Sequence, residues 1–288
     1  MLTLPIDLPF YVNTLIYGDP GVGKSEYVAT YIDYLLKYQL EIKPMKVWMF
    51  DPPGKDMPYL KRGKPTPFVD LGDGTVARLV MGKESQPLFE LEYYFDMHPQ
   101  LLGVPNAPLS SYERFQESLR STDWSAYSAV CLDSLTGFRD AVLRVQQFKL
   151  NKESNSGKQQ HGMQWYAAAG LAIQNDVMST LAYAPTHTFI TAHVDVKKDD
   201  ARGFFVYAIA APGQLSSGIA RVFSEVYYMH VLTGEKGVRR RVLQTEGGMD
   251  GTAKGEYIAL SEIGAPNMCE PRWEVVTSHV RQQMEVGT

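Results

Sequence analysis

Gly18-Asp19-Pro20-Gly21-Val22-Gly23-Lys24-Ser25 is the stretch that most restricts how this chain can fold. It lies between a short apolar run, Val12 to Tyr17, and a segment from Glu26 to Leu40. In that segment Tyr27, Val28, Tyr31, Ile32, Leu35 and Leu36 recur at helical spacing. A strand that turns through glycines into a helix is a phosphate cradle. Glycine reaches torsions that turn successive N–H groups inward, and the helix N-terminus adds positive charge. In this pattern a lysine reaches the β- and γ-phosphates and the next hydroxyl ligates Mg²⁺. Those roles fall to Lys24 and Ser25. Residues Gly18, Asp19, Pro20, Gly21, Val22, Gly23, Lys24, Ser25 and Glu26 are therefore expected to line a nucleotide site, with ATP and Mg²⁺ as cofactors.

The rest of the chain alternates in the same manner. Lys46 to Phe50 (KVWMF) reads as a second buried strand, stopped by Asp51-Pro52-Pro53-Gly54. Strand, loop, helix, strand is the βαβ unit of a parallel sheet, with a right-handed connection. Residues 55–110 are rich in Pro and Gly, and only short helices and an extended excursion are expected there. A helix follows over Ser111 to Leu119 and a strand over Tyr127 to Leu132, ending at Asp133. Next come a helix over Thr136 to Leu150, a polar loop over Asn151 to Gly162 and an Ala-rich helix over Met163 to Tyr183. Thr188 to Ala192 is a strand ending at His193. Phe204 to Ile209 and Ser224 to Leu232 are further strands, and Val231 to Gln244 is a hairpin about Gly234-Glu235-Lys236-Gly237. The pattern specifies an α/β fold with a mostly parallel central sheet flanked by helices and antiparallel edge strands.

Asp133 is the second chemical element. A carboxylate closing an apolar strand placed beside the phosphate-loop strand can hold the water shell of Mg²⁺. The competing reading makes Asp133 a helix N-cap before Ser134-Leu135-Thr136.

Composition closes off other classes. A net charge of −4 excludes a uniformly basic polymer binder but not a local basic groove. Two cysteines, Cys131 and Cys269, make neither a disulfide scaffold nor a CxxC zinc site. No secretory pattern opens the sequence, and no apolar run approaches a membrane span. A cytoplasmic protein is expected (host cytoplasm if phage-encoded).

GDPGVGKS after one apolar strand, CLDSLTG at the end of another and FITAHVD at the end of a third resemble the RecA-like ATPase core. The closer resemblance is to small phage-type RecA-like P-loop proteins of single-strand annealing and recombination. It covers about residues 12–260, leaving 261–288 as a C-terminal extension of a single domain over 1–288. The resemblance implies that His193 is the γ-phosphate sensor, where the family usually keeps a glutamine. It places the water-activating acid just past the second strand. No glutamate stands there, so Asp51 is the first substitute and Asp56 the second. It makes Tyr59 an adenine-stacking residue and Lys254 a finger reaching a neighbour's γ-phosphate.

The same resemblance implies an oligomer, ring or filament, on single-stranded DNA, with a single-strand binding or annealing protein as a further partner. The DNA loops would be Asn151 to Gly162, with Lys152 and Lys158, and Asp195 to Gln214, with Lys197, Lys198 and Arg202 near Phe204 and Tyr207. Cations with aromatics suit single strands. A third basic cluster, Lys236 with Arg239-Arg240-Arg241, suits phosphates, a neighbour's acids or a charged protective edge. The expected function is a DNA-linked ATPase of phage-type recombination or annealing, with hydrolysis coupled to DNA binding and release. The alternatives are a hexameric helicase-like or packaging motor, and a P-loop small-molecule kinase.

Overall fold

The computed structural model describes residues 11–38, 40–51, 54–94, 110–153, 163–199, 204–212, 215–234, 237–245, 254–255 and 268–277. Its first half runs β1 (Asn13–Gly18), α1 (Lys24–Lys37), β2 (Met45–Met49), α2 (Met57–Leu60), β3 (Lys64–Pro65), β4 (Val69–Asp70), β5 (Val76–Met81), β6 (Pro87–Tyr93) and α3 (Ser111–Ser121). The second half continues with β7 (Ala129–Asp133), α4 (Leu135–Glu153), α5 (Met163–Ala172), β8 (His187–Asp199), β9 (Phe204–Ile209), α6 (Leu215–Gly218), β10 (Glu225–Thr233), β11 (Arg239–Gln244), β12 (Lys254–Gly255) and β13 (Met268–Cys269).

The strands form one sheet in the order β13-β11-β10-β1-β8-β7-β2-β6-β5-β3, with β12 on β10, β4 on β5 and β9 on β8. From β10 to β6 every neighbouring pair is parallel. Antiparallel strands close both ends. This is the α/β class that the strand and helix spacing implies.

Both faces of the parallel strands are covered, so their sequences read as unbroken apolar runs rather than alternating ones. Met45, Val47 and Met49 point to one core with Tyr27, Ile32, Phe89 and Trp273. Trp48 and Phe50, one residue out of phase, point to the other with Phe115, Phe138 and Ile190. Trp48 is fully buried and meets Phe115 edge to face at 5.7 Å. Lys46 enters the same strand buried because Glu90 and Glu92 accept from its Nζ at 3.1 and 2.6 Å.

Four local outcomes depart from the spacing argument. Residues 57–93 are not an irregular excursion but add β3–β6 to the sheet, with β6 parallel to β2. The helix expected to run to Tyr183 stops at Ala172 and widens into a π-helical turn over Ile173–Met178. There the hydroxyls of Ser179 and Thr180 donate to the carbonyls of Gln174 and Asn175, in competition with the helix backbone. α4 continues through Asn151 to Glu153, where a loop was expected, and the remainder of that stretch lies outside the described residues. The strand expected to end at His193 runs on to Asp199 and pairs with β9, so the second proposed DNA loop is a β-hairpin. α3 is fixed at its start by a capping box. Ser110 Oγ accepts from the Glu113 N–H at 3.3 Å, and the Glu113 carboxylate accepts from the Ser110 N–H at 3.0 Å.

Candidate nucleotide site

β1 ends at Gly18, where there is no room for a side chain: a Cβ would stand 2.1 Å from the Met229 carbonyl oxygen on β10. Gly21 (φ 76°) and Gly23 (φ 110°) then take left-handed torsions, and α1 starts at Lys24. These are the positions where glycine is required. Lys24 Nζ donates to the carbonyls of Gly18 and Asp19, both at 2.9 Å, and so hangs across the loop. Burial lowers its pKa to about 8, against the opposing pull of Asp133, Asp19 and Asp51. A cavity of about 400 Å³ opens over the loop, walled on one side by Pro20, Gly21, Gly23, Lys24, Ser25 and Glu26. Asp51, Lys55, Asp133, Ser134, Thr191 and His193 face it from the other strands' ends.

Asp133 does not stand on the strand next to β1. β8 lies between them, because β1 pairs with β8 and β8 with β7. The aspartate nevertheless reaches the same cavity, since these strands are parallel and end together. The helix cap falls to Ser134, whose Oγ accepts from the Gly137 N–H at 3.2 Å. Asp133 is thus released from capping. Its Oδ1 accepts from Thr191 at 2.5 Å and its Oδ2 from Tyr59 at 2.8 Å. The Asp133–Ser134 peptide is cis.

Asp51 and Asp56, the two substitutes for the missing glutamate, separate cleanly. Asp51 lines the cavity, and burial followed by the charge of Asp133 raises its pKa, which makes it a better proton acceptor. Asp56 is buried and committed: it accepts from the Gly54 N–H at 3.1 Å, from the Tyr93 hydroxyl and from Arg78. It anchors the turn after β2 and is not available to a water. Tyr59 is a second correction. It is fully buried against Phe89 with its hydroxyl on Asp133, so no ring face is open to an adenine.

His193 sits beside the loop, paired in register with Gly18. Its backbone N–H donates to Thr136 Oγ1 at 3.0 Å. Burial and the nearby Lys24 lower its pKa, leaving a neutral imidazole that can donate to an anion. Thr191, two residues earlier on the same face, was missed by motif reading. The period of two along β8 was the signal that could have found it. Arg241, treated in the sequence only as part of a basic cluster, also lines the cavity.

The proposed outer contacts are only partly placed. Lys254 lies on β12, opposite Val226, and its side chain is outside the described residues. Lys197 and Lys198 lie on β8 opposite Val206 and Phe205, likewise without described side chains. The Lys152 side chain, and Lys158 and Arg202 altogether, are also outside them.

The residues present suit a magnesium nucleotide. Gly21 has open space where a Cβ would stand, the loop's cation is in place, and the Ser25 hydroxyl and the Asp133 carboxylate both line the cavity. Among the described residues no cage of three or more His, Cys, Asp or Glu forms. Mg²⁺ needs none, because it keeps waters and borrows phosphate oxygens.

Sheet, loop and aspartate together form a mostly parallel α/β fold in which a phosphate-loop motif and Asp133 line one cavity. Neither a protein-family model nor a curated protein matches the sequence. Among solved structures the chain is similar to a KaiC-like protein from the hyperthermophilic archaeon Pyrococcus horikoshii, at 13% identity and a TM-score of 0.41, over 85% of this chain and 83% of that chain. Among the described residues no helix is long and apolar enough to cross a membrane.

Proposed function

We propose that this chain is a magnesium-dependent ATPase that works on single-stranded DNA as an oligomer, in recombination or annealing of the phage type. The observation that carries the ATPase reading is the meeting of Lys24, Ser25, Asp133, Asp51 and His193 around one cavity. Lys24 and the loop amides hold the phosphates, and Ser25 with Asp133 holds the ion. Mg²⁺, when bound, neutralises charge on the phosphoryl group. Asp51 accepts a proton from water at its carboxylate. His193 donates to the terminal phosphate.

The DNA reading is supported by β8. The strand that presents Thr191 and His193 to the cavity continues without a break into the hairpin that carries Lys197 and Lys198. A shift of the imidazole on contact with a γ-phosphate therefore has a short covalent route to the hairpin. The test is ATPase rate with and without single-stranded DNA, read beside oligomer mass. DNA stimulation without fork unwinding supports the recombination reading, and unwinding favours a motor. Turnover that ignores DNA and needs a small acceptor rejects both. Replacing Lys197 and Lys198 by Ala should weaken single-strand binding and flatten its salt dependence, because each phosphate contact releases counterions. Unchanged affinity and slope place the DNA path elsewhere.

A further inference from the structure

The two ends of the cavity over the phosphate loop differ in chemistry. Asp51, Asp133 and His193 gather at one end. At the other, Gly21, Glu26 and Arg241 form a wall shared with a second and larger cleft of about 1050 Å³. Arg241 is brought there by the antiparallel edge: β11 pairs with β10, placing Arg241 opposite Val231. Its side chain lies across Gly23. A Cβ on that glycine would stand 3.3 Å from Arg241 Cδ and 3.5 Å from its Nε.

The charge at this junction is not cancelled. Glu26 is already paired with Lys61 at 2.5 Å and Arg62 at 2.9 Å, which outweigh its burial and lower its pKa. Arg272, in the same cleft, is paired with Glu270 at 2.8 Å. Arg241 has no carboxylate partner among the described residues. An exposed guanidinium resting on the loop glycine presents a fork of donors suited to phosphate oxygens.

We propose that Arg241 is a nucleotide-contacting residue supplied in cis, which holds the phosphate on the nucleoside side of the loop. This rests on the nucleotide reading above and adds to it a residue and an orientation. The terminal phosphate must face Asp51 and His193, so the nucleoside leaves past Arg241 toward the larger cleft. Arg241 is then distinct from any cation lent by a neighbouring subunit, because it touches the loop of its own chain.

The test measures binding of ATP and ADP, with Mg²⁺, to wild type, Lys24→Ala, Arg241→Ala and Arg241→Lys. Loss of a charge-assisted phosphate contact should weaken ATP and ADP by the same factor, about ten- to a hundredfold in Arg241→Ala. Arg241→Lys should recover part of it, keeping the charge but not the fork. Mixing Lys24→Ala with Arg241→Ala subunits should restore no tight site. Wild-type affinity in Arg241→Ala overturns the proposal, as does a loss confined to ATP, which would put Arg241 at the γ end. Restoration on mixing overturns the cis assignment. Failure of wild type to bind either nucleotide removes the nucleotide reading itself, an outcome distinct from wild-type binding that Arg241→Ala leaves unchanged.

Discussion

The Tyr59 hydroxyl donates a 2.8 Å hydrogen bond to Asp133 Oδ2, so the residue that looked like a base-stacking platform instead sets a carboxylate that lines the cavity. Thr191 holds the other oxygen at 2.5 Å. Both donors fix the rotation of the Asp133 carboxylate, as outer partners do for carboxylates in metal sites. Burial, then Asp133, drives the tyrosine's pKa well above its ordinary value, so it remains a donor across the working range.

Tyr59→Phe removes that donor without opening a cavity. It should cost about 1.5–3 kcal/mol of stability, the range for a hydrogen bond to a charged group. It should also raise the Mg²⁺ concentration needed for half-maximal turnover while leaving ATP binding in excess Mg²⁺ nearly unchanged. Urea denaturation and a Mg²⁺ titration of the ATPase rate check the two halves separately. A variant with normal stability and a normal Mg²⁺ response would remove Tyr59 from the site.

The lowered pKa of Lys24, about 8, gives nucleotide affinity a definite pH dependence. A polyanion favours the ammonium form, so binding above pH 8 must take up a proton. Affinity should therefore fall as pH rises through about 8, approaching tenfold per unit beyond it. The free protein should show the opposite trend from this group. Between about 8 and the unfolded value of 10.5 the unfolded chain carries the extra proton, so stability rises with pH there. Titration calorimetry of ATP binding in two buffers of different ionisation heat reads the proton uptake directly. A Kd that is flat from pH 7 to about 9.5 would contradict the placement of Lys24.

Lys46 tests the sheet rather than the chemistry. It is buried between Glu90 and Glu92, and its neighbourhood outweighs the cost of burial to raise its pKa. Glu92 is likewise pulled below its ordinary pKa, its burial outweighed by Lys46. Lys46→Ala leaves two carboxylates facing an empty site and should destabilise by about 3–5 kcal/mol, as breaking buried ion pairs does. Because the folded carboxylate's pKa is depressed, the wild-type pair contributes stability above the unfolded value near 4.5, lost as pH falls through the folded value. Denaturant midpoints of wild type and variant should converge at low pH.

Much of this was legible in sequence, for physical reasons that also mark where legibility ended. The loop from Gly18 to Ser25 was readable because a phosphate cradle leaves little choice of residues. β1, β2, β7 and β8 were readable because strands buried on both faces become continuous apolar runs. The β3–β6 extension was not: in β6 the apolar signal is interrupted by Glu90 and Glu92, which accept from Lys46 on the neighbouring β2. Asp133 was found by its position at a strand end, but not its neighbour, because adjacency in a sheet is set by crossovers that no local pattern encodes. Thr191, Tyr59 and Arg241 reach the site from elements far apart in the chain, and their roles appear only once β8, α2 and β11 are placed.

Asp51 and Asp56 are five residues apart and respond to different questions. Asp51 faces the cavity, with its pKa raised by burial and by Asp133, whereas Asp56 is locked between Arg78, Tyr93 and the Gly54 amide. Asp51→Asn removes a proton acceptor and little else. ATP binding should persist while turnover falls about 10²- to 10⁴-fold, the usual worth of a positioned general base. The raised pKa also predicts that wild-type turnover declines on the acid side at a higher pH than an ordinary aspartate would give, and that this limb disappears in Asp51→Asn. Asp56→Asn leaves Arg78 buried without its counter-charge and should lower stability by about 3–5 kcal/mol. Whatever fraction stays folded should keep its turnover per site. Single-turnover ATPase rates, normalised to active sites by bound nucleotide, and urea denaturation of both variants separate the two. Normal turnover in Asp51→Asn would return the search for the water-activating group to a residue from outside this chain's own cavity, such as one lent by a neighbouring subunit.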